Sequence, residues 1–245
     1  MNSNERMVKQ KLEEKYGEKF KIISHNYNIM LDYYQFSACP KRDENIVFVG
    51  KYYEGFEKFY DQYPSNFLSI KYARQLEEKL ELDNSPVHVR SRISYTGYSN
   101  GKEQINVDEL EFSKLNISAK GVGCDLEIFF FEELNEQNKL QLLSEIEKLI
   151  QEYGSHAQAD FIANIYFFDR EFLDTYTIDS FKTSIDERVT PFIPVEMRGY
   201  VKKRLYVMLD SQKPFKLPDV NDLYELTKEV TPENFRIYPV SLNVE

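Results

Sequence analysis

Helical and strand-like spacings of apolar residues alternate along the whole chain, and this alternation restricts it to a mixed α/β architecture. Val8, Leu12 and Tyr16 recur at four-residue intervals in a helix predicted over 4–16, and Gly17 is suited to the left-handed stop that follows. Leu68, Tyr72, Leu76 and Leu80 form the apolar stripe of a second helix, 66–80. Leu142, Ile146, Leu149, Ile150 and Tyr153 do so in a third, 135–153, with Asn135 as N-cap and Gly154 as terminator. Shorter helices are predicted at 178–188 and 220–229.

Strands are predicted at 19–24, 46–49, 87–95, 111–119, 125–131, 161–168, 205–209 and 235–240. The run 46–49 is apolar on both sides and reads as an interior strand. The clearest alternation is at 87–95, where Val87, Val89, Ile93 and Tyr95 point one way and His88, Arg90, Arg92 and Ser94 the other. Between these elements, Cys39 to Glu44 and Ser99 to Lys102 read as turns, and Gly55, Pro64, Ser65, Pro191 and Pro194 as interruptions. The expected fold is α+β, with mixed, mainly antiparallel sheets and packed amphipathic helices. One arrangement has two related α/β subdomains, 1–84 and 85–245, with the loop 82–86 as boundary; the other is a single continuous domain. VKQKLEEKYG at 8–17 and EIEKLIQEYG at 145–154 both end in Tyr-Gly before a strand. They read as a duplication or as the ordinary way a helix stops, since a repeat needs similarity over about 20 residues or more.

Composition narrows the function. Eighteen tyrosines and eighteen phenylalanines in 245 residues exclude a disordered chain. The net charge of −10 repels phosphate backbones and argues against nucleic acid as a partner. Cys39 and Cys124 are too few for a disulfide scaffold; they read as buried small side chains, or as a pair that bridges in an oxidising compartment if the fold brings them close. No apolar run reaches the roughly 18 residues of a membrane helix. The N-terminus has no signal-peptide core, so the expected location is cytoplasmic, or extracytoplasmic if an anchor has been trimmed.

Tests for chemistry return little. His25, His88 and His156 stand in no triad context, and the sequence has no Gly-x-Ser-x-Gly elbow. No Cys-x-x-Cys, His-x-His or His-x-x-x-His pair suggests a metal, and no EF-hand loop is present. Gly121-Val122-Gly123 reads as a hairpin turn rather than a phosphate loop. Asn116-Ile117-Ser118 matches the glycosylation sequon, a motif short enough to arise by chance. The expectation is a non-enzyme with no cofactor.

Two cationic groupings remain. His88, Arg90 and Arg92 lie about 7 Å apart along one strand face, either to receive an anion or a carboxylate-rich partner or to pair with neighbouring acids. Arg198, Lys202, Lys203 and Arg204 are read either as an anion contact or as the polar lead-in to the strand at Leu205. Tyr27, Tyr33, Tyr34, Tyr52, Tyr53, Tyr60, Tyr63, Tyr72, Tyr95 and Tyr98 crowd the first hundred residues. They serve an interface, or a core whose hydroxyls reach the surface.

The residues Leu12 to Phe20, Tyr33-Tyr34-Gln35, Ala38, Pro40-Lys41 and Ile46-Val47-Phe48 resemble the extracytoplasmic regions of uncharacterised lipoproteins and membrane-anchored proteins of Gram-positive bacteria. The likeness covers about 40 residues; a lipobox cysteine or membrane helix ahead of it is lacking. It implies no activity. The leading expectation is a non-catalytic protein-interaction domain of a bacterial surface-associated protein. The alternatives are a cytoplasmic immunity or antitoxin-like protein binding a basic toxin, and an enzyme with a scattered carboxylate site.

Overall fold

The computed structural model describes residues 3–53, 58–80, 86–94, 105–111, 122–155, 159–184, 193–210, 213–235 and 239–243. The fold is α+β, with helices packed on two sheets. The chain divides into two compact units, one of Met1–Tyr72 with Arg92–Val122 and the other of Ala73–Ser91 with Gly123–Glu245. A single boundary within 82–86 was the sequence expectation, and 82–85 lie outside the described residues. The boundaries of these units fall within three regular elements, Tyr63–Leu80, Val87–Ser94 and Val122–Phe130.

In the first unit, helix α1 (Ser3–Tyr16) buries Val8, Leu12 and Tyr16. Gly17 ends it at φ 70°, its N–H donating to the Glu13 carbonyl at 2.9 Å. An antiparallel meander follows: β1 (Phe20–Asn28), β2 (Tyr33–Pro40), β3 (Phe48–Tyr53) and β4 (Lys58–Asp61), in the spatial order β1-β2-β3-β4. β1 runs four residues past the strand expected at 19–24, because it pairs with β2 as far as Asn28↔Tyr33. β3 is interior to the sheet, but only one of its faces is buried: Val47 and Val49 are exposed beside buried Phe48 and Gly50. Helix α2 (Tyr63–Leu80) starts three residues before the predicted 66. Pro64 does not interrupt it, since a first-turn proline gives up an N–H that has no helical partner. Tyr16, Phe20, Phe48 and Tyr63 meet ring to ring with centroids 4.9–5.9 Å apart, and they form this unit's aromatic core.

Beneath that core lies a charged group. The buried Asp61 carboxylate accepts from the Tyr16 hydroxyl (2.6 Å), Lys15 Nζ (2.8 Å) and the Tyr63 N–H (3.0 Å). Burial, followed by the Asp61 charge, pushes the Tyr16 phenol far above its ordinary value. Arg42 bridges Asp108 at 2.7 Å and Glu18 at 2.9 Å, and the Tyr63 hydroxyl donates to Glu18 at 2.5 Å.

The second unit carries a sheet in the order β10-β8-β7-β6-β5, with β9 also paired to β8. Its strands are β5 (Val87–Ser94), β6 (Val122–Phe130), β7 (Ala159–Phe168), β8 (Val201–Leu209), β9 (Lys228–Glu229) and β10 (Val240–Ser241). β7 and β8 are antiparallel, whereas β10 runs parallel to β8. Helix α3 (Lys139–Ser155) begins after a turn that Asn135 caps through the N–H groups of Gln137 and Asn138. α4 (Glu171–Thr175), α5 (Ile178–Ser184) and α6 (Val220–Leu226) complete the helices. An Asp219–Asp222 capping box starts α6, which stops three residues short of the predicted 229 because Lys228 and Glu229 pair with β8. Phe235 does not open a strand as expected. It is buried with Phe129, Phe131, Tyr166, Phe168 and Phe172 in one aromatic cluster.

The predicted turn at 99–102 and nearly all of the predicted strand 111–119 lie outside the described residues, as do Gly121, His156, the sequon at 116–118, residues 185–188 and 236–238. Cys39 and Cys124 are both buried and neither is in a disulfide; burial raises the Cys39 pKa. No helix among the described residues is long and apolar enough to cross a membrane.

Candidate functional site

The cationic row on β5 meets acids. His88 Nδ1 lies 2.5 Å from Glu77 Oε1, its ring stacked on Phe129 (centroids 5.8 Å, 16°) and edge-on to Phe181. Glu77 also accepts from the Val89 N–H at 2.9 Å, with Lys182 Nζ 4.0 Å away. Burial raises the pKa of Glu77, but the His88 hydrogen bond, the Val89 N–H and the electrostatic pull of His88 and Lys182 outweigh it and hold the carboxyl below its ordinary range. Arg90 pairs with Glu127 at 3.4 Å, and both side chains are largely buried. Arg92 is exposed. Glu127 pairs with Arg90 from the adjacent strand β6, whereas Glu77 reaches His88 from helix α2, and no local pattern encodes either approach.

Arg198, Lys202, Lys203 and Arg204 do not converge. The last three lie inside β8 rather than ahead of it. Arg198 Nε donates to the Ile193 carbonyl, Lys202 pairs with Asp169 at 3.4 Å, and Lys203 lies over the Tyr224 ring at 5.3 Å. Arg204 turns into the core, 3% exposed, donating to Asn164 Oδ1 (2.6 Å) and the Phe235 carbonyl (2.9 Å). Its guanidinium also lies 4.9 Å from the Tyr166 ring and 5.0 Å from that of Tyr206. Burial lowers its pKa against the pull of Tyr166, Tyr206 and Glu127.

The tyrosines divide. Tyr33, Tyr52, Tyr63 and Tyr72 are buried, whereas Tyr27 is exposed and Tyr34, Tyr53 and Tyr60 are half-buried; Tyr95 and Tyr98 lie outside the described residues. The pairings Gln35↔Lys51 and Lys51↔Tyr60 align Tyr33, Gln35, Lys51, Tyr53 and Tyr60 on the sheet face opposite Phe36. Tyr33 and Tyr53 meet at 5.1 Å, Tyr53 and Tyr60 edge-on at 5.9 Å, and Lys51 Nζ lies 4.8 Å from the Tyr33 ring. On the other face, Tyr27 packs on Tyr34 at 4.7 Å, and with Asn4, His25 and Asn26 they line a shallow cleft of about 250 Å³.

The most exposed apolar residues among the described residues of this unit lie in one turn. Ile29, Met30 and Leu31, at the β1–β2 turn, are 82%, 96% and 62% exposed. A turn made of large apolar residues looks like a strand in the sequence. The usable signal is the flanking pair Asn28 and Asp32: Asn28 Oδ1 accepts the Leu31 N–H at 3.1 Å, and Asp32 takes the left-handed conformation at φ 49°.

Among the described residues no group of three or more His, Cys, Asp or Glu side chains could hold a metal ion. No family model and no curated protein matches the chain. The chain is similar to the crystal structure of a DUF5037 family protein from Ruminococcus gnavus. The TM-score is 0.52 and the identity 13%, over 91% of this chain and 98% of that one. The likeness is one of fold.

Proposed function

We propose that this chain is a non-catalytic protein-interaction domain of a bacterial surface-associated protein, and that it binds its partner through the open face of the first unit's sheet. The observation that carries this reading is the tyrosine platform of Tyr53 and Tyr60 beside Lys51, half-buried rings held edge-on at 5.9 Å. Such rings present large contact area with little side-chain freedom left to lose, and their hydroxyls face the partner. A lysine beside them favours an acceptor-rich partner surface. The N-terminal likeness to extracytoplasmic regions of membrane-anchored proteins supports the surface setting.

The test is a photo-crosslinking amino acid placed at Tyr60 in the producing cell, with Glu136 of the second unit as the control position. A discrete protein adduct from position 60, absent from position 136 and lost with Lys51→Glu, is the expected result. No adduct, or the same adduct from both positions, overturns the reading.

A further inference from the structure

The β1–β2 hairpin ends in three consecutive large apolar side chains, Ile29, Met30 and Leu31, all mostly exposed. Scattered exposed apolar residues are ordinary, but three in a row at one hairpin turn are not. The hairpin behind them is almost without charge. From Asn26 to Pro40 the one ionisable acid or base outside Tyr and Cys is Asp32, and its carboxylate accepts the Tyr27 hydroxyl at 2.6 Å. The turn supplies a side-chain acceptor for one of its own backbone donors, Asn28 Oδ1 for the Leu31 N–H, which lowers the cost of moving it out of water. Directly behind the tip stands a tyrosine collar, exposed Tyr27 packed on half-buried Tyr34 at 4.7 Å.

An apolar tip, a polar-edged aromatic collar and few charges match the layers of a bilayer boundary: acyl chains first, then the headgroup region where tyrosine is favoured. A convex apolar finger needs a shaped receptor in a protein, but a bilayer receives it without one. We infer that the Ile29–Met30–Leu31 tip inserts into the headgroup and outer acyl region of a lipid bilayer. Three residues reach the roughly 5–10 Å depth typical of interfacial binding. With a net charge of −10 on the chain, anionic lipid adds no attraction, so the contact is with neutral, zwitterionic lipid. The insertion is separate from the protein contact proposed above and does not depend on it.

The chain contains no tryptophan, so Met30→Trp creates a single reporter at the tip. Leu140→Trp, at a position 67% exposed on α3, is the control. With phosphatidylcholine vesicles, Met30→Trp emission should shift to the blue and be quenched by acyl-brominated lipid, while Leu140→Trp should not respond. Adding Ile29→Ser and Leu31→Ser to the Met30→Trp chain should weaken vesicle partitioning about tenfold or more. Three results overturn the inference: no shift with vesicles, an equal shift in the control, or a blue shift that grows with protein concentration in the absence of lipid, which marks a contact between copies. Because the vesicles hold no protein, the outcome is independent of crosslinking at position 60.

Discussion

Phe36 and Gly50 face each other across β2 and β3, and the Phe36 ring occupies the space a side chain at 50 would need. A Cβ at position 50 would lie 2.7 Å from Phe36 Cε1 and 2.7 Å from the Tyr60 carbonyl. The ring could turn, but the carbonyl belongs to the adjacent strand. Phe36 also stacks on Phe59 at 5.5 Å, so its movement would disturb a second contact. Gly50→Ala should therefore destabilise the protein by about 1–3 kcal/mol. Urea unfolding of the two proteins measures this, and an unchanged midpoint would contradict the packing.

The Asp61 carboxylate holds Tyr16, Lys15 and the start of α2 together. Asp61→Ala leaves a buried phenol and a largely buried ammonium without their acceptor. The expected cost is about 3–5 kcal/mol. Asp61→Asn keeps an acceptor oxygen and should cost less than Asp61→Ala in the same unfolding experiment.

Arg204 is the buried cation of the second unit. Arg204→Ala opens a cavity and removes the donor to Asn164 and to the Phe235 carbonyl, with an expected loss of about 3–5 kcal/mol. Arg204→Met refills most of the volume and should recover part of it, a difference visible as a higher thermal midpoint. Equal midpoints for the two variants would show that packing contributes nothing at this position.

Glu77 is held below its ordinary value of 4.5 in the folded protein. A depressed carboxyl contributes stability that is complete above the unfolded value and is lost as pH falls through the folded one. The stability gap between the wild type and Glu77→Gln should thus be widest above pH 4.5 and close progressively below it. Denaturant midpoints measured from pH 7 down to 3 follow this, and a gap that widened on acidification would reverse the sign.

Local pattern carried much of the architecture. The buried positions of α1, α2 and α3 recur at helical spacing, and Val87, Val89 and Ile93 alternate as a half-buried strand does. Those signals are amphipathicity within a few residues, and they survive in any fold that buries one face. They break down where neighbouring residues have distant partners. Lys202, Lys203 and Arg204 are consecutive in sequence, yet one pairs with Asp169, one lies over Tyr224 and one is buried against Tyr166.

The sequence by itself determined an α+β chain with an aromatic core and an acidic surface, because composition and periodicity act residue by residue. Tertiary structure alone decided that Arg204 is inside, that His88 and Arg90 meet Glu77 and Glu127, and that Tyr53 and Tyr60 are half-buried while Tyr33 and Tyr63 are buried. It also decided that Ile29, Met30 and Leu31 form an exposed turn. The physical reason is the range of the contacts. Tertiary contacts join residues such as Arg42 and Asp108, 66 positions apart along the chain, and no short window of sequence contains both partners.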